Sequence, residues 1–269
     1  MVVASERLSI ERIRQNLTGQ IIGRQLYLFG EVLSTNSVLA RLAEGGAREG
    51  TVVLAEGQTA GRGRLGKVWF SPAGVNLYAS ILFRPSLPPS EVTVFSLIAS
   101  LALFDAIQEE GVTPAIKWPN DLLVSRKKVA GVLAEARSSD EQVRRLILGV
   151  GVNLNIEGQA LVAALGNAGL AATSLREVAG REIDRSVFTG RFLTLLDEWF
   201  QIYCAKGAQA VLQAWRDREI TTGRRVEVRE GSERFDGRVL GVNGGGDLVV
   251  QDSHGRTRKV ASGEIRFLD

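Results

Sequence analysis

The sequence predicts an α+β protein in two parts: a mixed α+β domain over residues 1–222 and a small all-β barrel over residues 223–269. Segments with helical and with strand-like patterns are interspersed throughout the first part. From Gly223 onward, short β-like segments follow one another at close spacing, with turn residues such as Asn243-Gly-Gly-Gly-Asp247 between them. The length of 269 residues is enough for one or two domains with a full hydrophobic core.

The larger part begins with a predicted helix over 9–17, in which Ile10, Ile13 and Leu17 have helical spacing and Ser9 can cap the N-terminus. The remaining segments follow in this order: a strand at 25–29, a helix from 34–36 to Glu44, a strand at 51–55, a glycine-rich loop at 56–74, a strand at 76–83, an apolar helix at 92–110 ended by Gly111, strands at 115–118, 122–124, 128–136 and 145–155, a mainly helical stretch at 173–203, and a helix near 208–218.

The predicted barrel has five strands. Their sequences are RVEVRE, FDGRVLGV, DLVVQD, RTRKVAS and EIRFL. Polar and glycine-containing turns, among them NGGGD and DSHG, separate these strands. The sequence contains no internal repeat and no low-complexity segment.

Composition narrows the function classes. A hydrophobic share of 45% with 23% charged residues is typical of a soluble globular protein and argues against disorder. No uncharged apolar run reaches the ~18–20 residues that span a membrane, and the N-terminal segment is charged too early for a secretory signal. We therefore expect no membrane partner. The net charge of +3 is a weak footprint for nucleic-acid binding.

Cysteine and histidine are nearly absent, which argues against several kinds of disulfide, metal and nucleophilic site. Cys204 is the single cysteine, so no internal disulfide is possible and a reducing cytoplasm is the expected location. His254 is the single histidine, which leaves almost no material for a histidine metal site or a thiol–imidazole dyad.

The loop Gly61-Arg62-Gly63-Arg64-Leu65-Gly66 has the letters of a dinucleotide-binding motif, but that motif needs a helix to start at the loop. Pro72 and Gly74 oppose such a helix, and Val68 stands where a phosphate-binding P-loop needs Ser or Thr. A flexible surface loop with incidental arginines remains one interpretation. The other is an anion site, because arginines between glycines can close around a phosphate or carboxylate, with Trp69 as an aromatic face.

Two further segments contain residues that are typical of turns or close packing together with charged side chains that could act in catalysis. Lys117-Trp118-Pro119-Asn120-Asp121 between two strands reads either as a simple β-turn or as a site with Lys117 and Asp121 at its flanks. Lys128 and Gly131 follow at the start of the next strand, and a glycine inside a strand often marks close approach of a ligand.

Gly149 and Gly151 lie on one face of a strand that ends at Asn153. Tight packing explains the glycines equally well as a bare floor for a flat ligand does, with Asn153 offering a donor and an acceptor. Ser34-Thr35-Asn36 is either a helix N-cap or a set of short polar groups that face the same pocket.

Together these segments resemble biotin–protein ligases, in the short bacterial form without a DNA-binding domain. Each fragment is modest, but six in this order across 25–155 are specific, with weaker likeness through Thr173-Ser174-Leu175 and the GEIRF segment. The six fragments are Ser34-Thr35-Asn36, Gln58-x2-Gly61-Arg62-Gly63-Arg64-x-Gly66, Trp69-Phe70-Ser71-Pro72, Lys117-Trp118-Pro119-Asn120-Asp121, Lys128-x2-Gly131 and Gly149-x-Gly151-x-Asn153.

The resemblance implies a mixed β-sheet flanked by helices, related to class II aminoacyl-tRNA synthetases, followed by an SH3-like β-barrel. It also implies the activity: ATP and Mg²⁺ convert biotin to biotinyl-5′-AMP, and biotin then passes to one lysine of the carrier protein of a biotin-dependent carboxylase. No covalent enzyme intermediate is needed, which agrees with the shortage of histidine and cysteine.

The resemblance assigns roles by position. Expected catalytic residues are Lys128, Arg62, Arg64, Lys117 and Asp121, with Asp121 orienting or deprotonating the carrier lysine. Expected biotin-binding residues are Ser34, Thr35, Asn36, Gln58, Gly61, Arg62, Lys128, Gly131, Gly149 and Gly151. Expected ATP- and adenylate-binding residues are Arg62, Arg64, Trp69, Asn120, Lys128 and Asn153. Mg²⁺ is expected to arrive with ATP, and no protein ligand for it is assigned.

Three alternatives have to be considered. A pure binding module would lack Lys128 and Arg62 together. A lipoate or octanoate ligase shares the fold, but GRGRLG favours biotin. A biotin-sensing repressor needs a winged helix of ~60 residues before the catalytic domain, and only about 24 residues precede the first core strand, so DNA is not an expected partner. A homodimer is compatible with the sequence.

Overall fold

The computed structural model describes residues 6–139 and 141–269; the first five residues of the predicted 1–222 domain lie outside the described residues. Seven strands form the large sheet in the order β1-β2-β3-β7-β6-β5-β4. Their bounds are β1 Leu26–Val32, β2 Val52–Gln58, β3 Leu77–Phe83, β4 Ala115–Lys117, β5 Asp121–Val124, β6 Lys127–Ser139 and β7 Gln142–Val152. β1 and β2 are parallel while the other neighbours are antiparallel, so the predicted mixed sheet is confirmed.

Eight α-helices accompany this sheet within the described residues: α1 Ile10–Gln15, α2 Thr35–Glu44, α3 Thr93–Glu109, α4 Gly158–Leu165, α5 Asn167–Leu170, α6 Leu175–Ala179, α7 Arg185–Lys206 and α8 Ala208–Arg216. The sequence analysis missed α4 and α5. Their residues, GQALVAALGNAGL, offer alanine and glycine but little polar alternation, so the helical pattern is faint. The predicted helical stretch at 173–203 is two helices, because Gly180 ends α6 at a φ of 68° and Asp184 caps α7.

The core lies between the large sheet and the layer of α3, α7 and α8. Phe83 of the sheet, Phe95 of α3 and Phe200 of α7 meet there, with ring centroids 4.9 to 6.2 Å apart. α3 is apolar on nearly every side because it packs against the sheet and against both other helices. These contacts make α3 the central helix of the fold.

One helical stretch, Pro89–Glu109, is long and apolar enough to cross a membrane by length and composition alone. Of its most apolar window, 61% is buried inside the structure. A core helix of a soluble protein passes the same test, and the packing of α3 accounts for the apolar sequence.

A second sheet follows, antiparallel throughout, in the order β11-β10-β9-β8-β12. Its strands are β8 Arg225–Glu230, β9 Glu233–Val242, β10 Leu248–Asp252, β11 Thr257–Val260 and β12 Glu264–Phe267. All five predicted strands are present. The turn after β4 contacts the turn between β9 and β10, since the Trp118 indole Nε1 donates to the Gly246 carbonyl at 3.0 Å; the Trp118 backbone N–H donates to Thr221 Oγ1, just before β8, at 3.1 Å.

Candidate active site

A cavity of about 480 Å³ opens between the large sheet, the glycine-rich loop, α4–α5 and β12. Every predicted site residue lines this cavity except Gly61. Those that line it are Ser34, Thr35, Asn36, Gln58, Arg62, Arg64, Trp69, Lys117, Asn120, Asp121, Lys128, Gly131, Gly149, Gly151 and Asn153. The fold therefore brings six separate sequence segments to one place.

Gly61 lies outside the cavity lining, at a point where two chain segments approach closely. A Cβ at this position would lie 2.4 Å from the Trp69 carbonyl oxygen and 2.5 Å from Ser71 Oγ, both too close for any side chain. Gly61 is buried and lets the chain segment before the loop approach the segment after it. Its biotin-binding assignment places it in the cavity wall, whereas the structure places it under the loop.

The glycines of β6 and β7 seat two side chains. Gly131 and Gly151 are cross-strand partners, and a Cβ on Gly151 would lie 2.4 Å from the Trp69 ring. A Cβ on Gly149 would lie 2.5 Å from Asn36 Oδ1. Of the two interpretations of these glycines, the structure shows tight packing rather than a bare floor, because Trp69 and Asn36 cover this face. The Trp69 Nε1–H is buried and finds no partner among the described residues.

Residues 61–69 form a small hairpin. Trp69 N–H donates to the Gly61 carbonyl at 3.0 Å, and Gly63 N–H donates to the Lys67 carbonyl at 2.7 Å. At its tip Leu65 and Gly66 have positive φ of 53° and 75°. Glycine takes this backbone conformation freely, but a leucine is strained by about 1 kcal/mol or more. The strained backbone of Leu65 therefore destabilises the tip of the hairpin.

Lys128 is one of the cations that line the cavity, with Arg62, Arg64 and Lys117. Its Nζ is 2.5 Å from Asp121 Oδ1 and 5.5 Å from the centre of the Trp69 ring. The register of β5 and β6 creates this pair, since Asp121 is opposite Gly131 and a bulge follows at Leu122/Leu123. Lys128 and Asp121, both predicted to be catalytic, therefore form an ion pair with each other.

Two further cations are largely withdrawn from solvent. Burial lowers the pKa of the Lys117 amine below its ordinary value of 10.5, and the carboxylates of Asp121 and Glu264 only partly oppose this. Lys117 Nζ also lies 5.4 Å above the Phe267 ring. Burial likewise lowers the pKa of the Arg64 guanidinium, which donates to Asn120 Oδ1 at 3.3 Å and remains charged as arginine does in proteins.

A row of hydrogen-bonded side chains flanks the cavity; we call Glu135, Asn36, Ser80, Thr35 and Gln58 the polar row. Asn36 Nδ2 donates to Glu135 Oε2 at 2.7 Å, and Ser80 Oγ lies within hydrogen-bonding distance of both Asn36 Oδ1 and Thr35 Oγ1. Gln58 Oε1 accepts from the Thr35 backbone N–H at 2.9 Å and from its hydroxyl at 3.1 Å. Ser34, at the N-cap position of α2, makes no side-chain cap, so its hydroxyl serves the cavity.

Both ends of the polar row reach the hairpin. Gln58 Nε2 donates to Ser71 Oγ at 3.0 Å, and the Ser71 hydroxyl donates to the Trp69 carbonyl at 2.8 Å. At the other end Arg62 donates to Glu135 Oε2 at 3.0 Å. The polar row therefore connects the first arginine of the hairpin to its closing tryptophan.

Sequence reasoning missed several residues of the site. Glu264 and Phe267 of β12 line the cavity, and Glu264 forms an ion pair with Lys67 of the hairpin. Leu161, Leu165 and Ala168 of α4 and α5 form an apolar side of it. Only the GEIRF segment of the resemblance pointed toward β12. Glu135 had a signal as well, since it shares a strand face with Gly131 at the two-residue period.

Comparison with known proteins agrees with this geometry. Residues 29–153 match the model of the biotin/lipoate A/B protein ligase family. A biotin–[acetyl-CoA-carboxylase] ligase of Mycobacterium tuberculosis is 33% identical over 276 residues, with 98% of each chain covered. The bifunctional ligase/repressor BirA of Bacillus subtilis is 32% identical over 97% of this chain and 79% of its own.

A solved structure is similar over the same range. The biotin protein ligase of Aquifex aeolicus, in complex with biotin and ATP, has a TM-score of 0.73 and 29% identity, with 91% of this chain and 98% of that chain covered. The fold and the cation-lined cavity, read with these matches, define an enzyme of the ligase class. The chain belongs to the biotin/lipoate A/B protein ligase family.

Proposed function

We propose that this enzyme activates biotin with ATP as biotinyl-5′-AMP and transfers the biotin to a specific lysine of a biotin carboxyl carrier protein. The observation that carries the proposal is the composition of one cavity. Arg64, Lys117 and Lys128 supply positive charge to the same space that Thr35 and Gln58 line with neutral hydrogen-bonding groups. A carboxylate on a neutral heterocycle and a nucleotide phosphate together fit this lining.

In the first step, a biotin carboxylate oxygen attacks the α-phosphorus of ATP. An O–P bond forms, the bond from the α-phosphorus to the bridging oxygen breaks, and pyrophosphate leaves with the electron pair. Two anions must meet, so preorganised cations in a water-poor site lower the barrier most. We assign Lys128 to the carboxylate and α-phosphate together, Arg62 and Arg64 to the phosphate, and Lys117 to the remaining charge.

Neutral groups position the two substrates. Thr35, Gln58 and Ser34 face the biotin ring, with Gly131, Gly149 and Gly151 leaving space for the side chains around it. Trp69, Asn120 and Asn153 serve the adenylate. Asn153 Nδ2 donates to the Thr173 carbonyl at 3.0 Å, which fixes the amide and directs Oδ1 away from that bond.

In the second step, the carrier lysine attacks the acyl carbon of the adenylate, an amide bond forms, and AMP leaves. Asp121 is placed to accept the proton that the lysine amine loses, since its carboxylate lines the cavity beside Lys128.

Mg²⁺ enters as the ATP complex. Among the described residues no group of three or more potential ligands could hold a resident ion, and Mg²⁺ bound to phosphates needs only one or two carboxylates. Asp121 and Glu264 are the carboxylates in the cavity lining. The ion supplies charge neutralisation on the phosphates.

A lipoate or octanoate ligase is the competing function, because the matching family includes both kinds. Mass spectrometry of the product from enzyme, MgATP and an equimolar mixture of biotin, lipoate and octanoate decides between them. We expect biotinyl-AMP; lipoyl-AMP or octanoyl-AMP as the main product would contradict the proposal. Cytoplasmic location and a homodimer are further expectations, the second measured by light scattering.

We expect backbone amides 61–68 to gain protection from hydrogen exchange when biotin binds. Three glycines make ordering costly, Leu65 is strained, and the ion pairs of Arg62 and Lys67 are exposed and therefore weak. Closing on an anionic ligand offsets that cost and keeps water from the mixed anhydride. A rigid loop held by Trp69 and Phe70 predicts equal, strong protection with and without biotin.

We expect the Lys117→Arg variant to keep its adenylation rate at higher pH than the wild type. The Lys117 pKa is lowered by burial, so the wild-type charge is lost as pH rises through a value below 10.5, and the rate falls with it. Arginine stays charged throughout. The pH profile of pyrophosphate release measures this, with Lys206→Arg on exposed helix surface as control. Coincident alkaline limbs would remove Lys117 from the charge-neutralising set.

A further inference from the structure

We propose that Glu135 is a positioning residue, which fixes the donor and acceptor pattern of the polar row and links biotin binding to Arg62. The proposal rests on the proposed function. Glu135 itself is outside the cavity lining. It acts through two neighbours, because a single oxygen, Oε2, accepts from both Asn36 and Arg62.

The hydrogen-bonding protons available at Glu135 fix the orientation of Asn36 and Ser80. An ionised carboxylate only accepts, so Asn36 must turn Nδ2 toward Glu135, which leaves Oδ1 toward Ser80. Ser80 has one hydroxyl proton and is fully buried, so this proton goes to Asn36 Oδ1. The 2.7 Å contact between Ser80 Oγ and Thr35 Oγ1 then needs the Thr35 proton, so the Thr35 hydroxyl donates to Ser80 and shares this proton with Gln58 Oε1 at 3.1 Å. One charge thereby orders three neutral groups.

Thr35 and Gln58 line the cavity, so the pattern set by Glu135 is the pattern that a ureido ring meets. A carboxamide in place of the carboxylate can accept or donate. The Asn36 amide can then turn over, and the buried row has two arrangements, of which one fits the ring. Part of the binding free energy is spent on selecting it.

Glu135 and Ile147 are cross-strand partners four residue pairs along from Gly131 and Gly151, so the carboxylate projects from the sheet face that seats Asn36 and Trp69. Arg62 reaches this carboxylate and also Ser37 Oγ at 3.4 Å. A shift of Asn36 when biotin binds moves the shared oxygen, and Arg62 responds. The two ends of the hairpin are thus tied to one biotin-dependent element.

Glu135→Gln tests the proposal, since it removes the charge and keeps the shape. Calorimetric titration with biotin alone should show affinity weaker by about tenfold, the size of one charge-assisted hydrogen bond. The KM for ATP, measured at saturating biotin, should stay within twofold of wild type. Glu44→Gln is the matched control: Glu44 at the end of α2 likewise pairs with an arginine, Arg145 of β7, at 3.2 Å, and lies outside the cavity.

The outcomes separate cleanly. Biotin affinity within twofold of wild type overturns the role of Glu135, as does an equal loss for biotin and ATP with a lowered melting temperature, which is the signature of general structural damage. In an Arg62→Ala background, Glu135→Gln should weaken biotin binding less than it does in the wild type. An equal loss of affinity in both backgrounds would remove the link to Arg62. If the wild-type enzyme does not bind biotin at all, the proposed function fails instead.

Discussion

Lys128→Ala is expected to slow biotinyl-AMP formation by ~10²–10³-fold, the usual loss when one preorganised donor to a developing charge is removed. Lys128 Nζ is placed by the Asp121 carboxylate at 2.5 Å and by the face of Trp69. Its side chain is 36% exposed, so truncation opens no large cavity in the core. Pyrophosphate release in the presence of biotin and MgATP measures the rate.

Lys127→Ala is the matched control for that experiment. Lys127 is the preceding residue of the same strand, is exposed, and does not line the cavity. Its truncation should leave the rate near wild type, and circular dichroism should show both variants folded. A folded Lys128→Ala enzyme with nearly normal pyrophosphate release would remove Lys128 from the chemistry.

Arg62→Gly should release biotinyl-AMP about tenfold faster or more, which is the loss expected for one hydrogen bond between charged groups. Arg62 is 46% exposed and belongs to the hairpin rather than the core, so folding should be spared. The escaped mixed anhydride then reacts with lysines of bystander proteins. Adenylate dissociation and biotin blotting of an added non-carrier protein measure the two effects.

Arg48→Gly is the corresponding control, because Arg48 is an exposed loop arginine outside the cavity. It should bind the adenylate as the wild type does and should not label bystanders. An Arg62→Gly enzyme with a wild-type dissociation rate and no stray labelling would show that the arginine does not retain the intermediate.

The sequence was most informative where local chemistry decides structure. Apolar patterns and turn signals located all twelve strands and most helices, and short motifs located the polar and glycine residues of the cavity lining that come from the large sheet and the hairpin. The glycines of β7 illustrate the limit. Their spacing predicts one open face, but only the packing of Trp69 and Asn36 onto that face shows that the space is already used.

Contacts across strands and between sheets could not be predicted. Glu135 meets Asn36, 99 residues earlier in the chain, because α2 packs against β2, β3 and β7, and β7 is the neighbour of β6 in the sheet. Glu264 meets Lys67 because the second sheet lies against the hairpin. Such pairs depend on register and on the placement of one sheet relative to another, neither of which leaves a periodic trace in the sequence.

The position of β12 in the wall of the cavity also determines when the cavity is completed during synthesis on the ribosome. The large sheet is complete once Val152 has emerged, whereas Phe267 and Glu264 emerge more than a hundred residues later. During that interval Lys117 lacks its aromatic neighbour and Lys67 its counter-charge. A nascent chain that has released only the large sheet therefore still has an incomplete cavity wall.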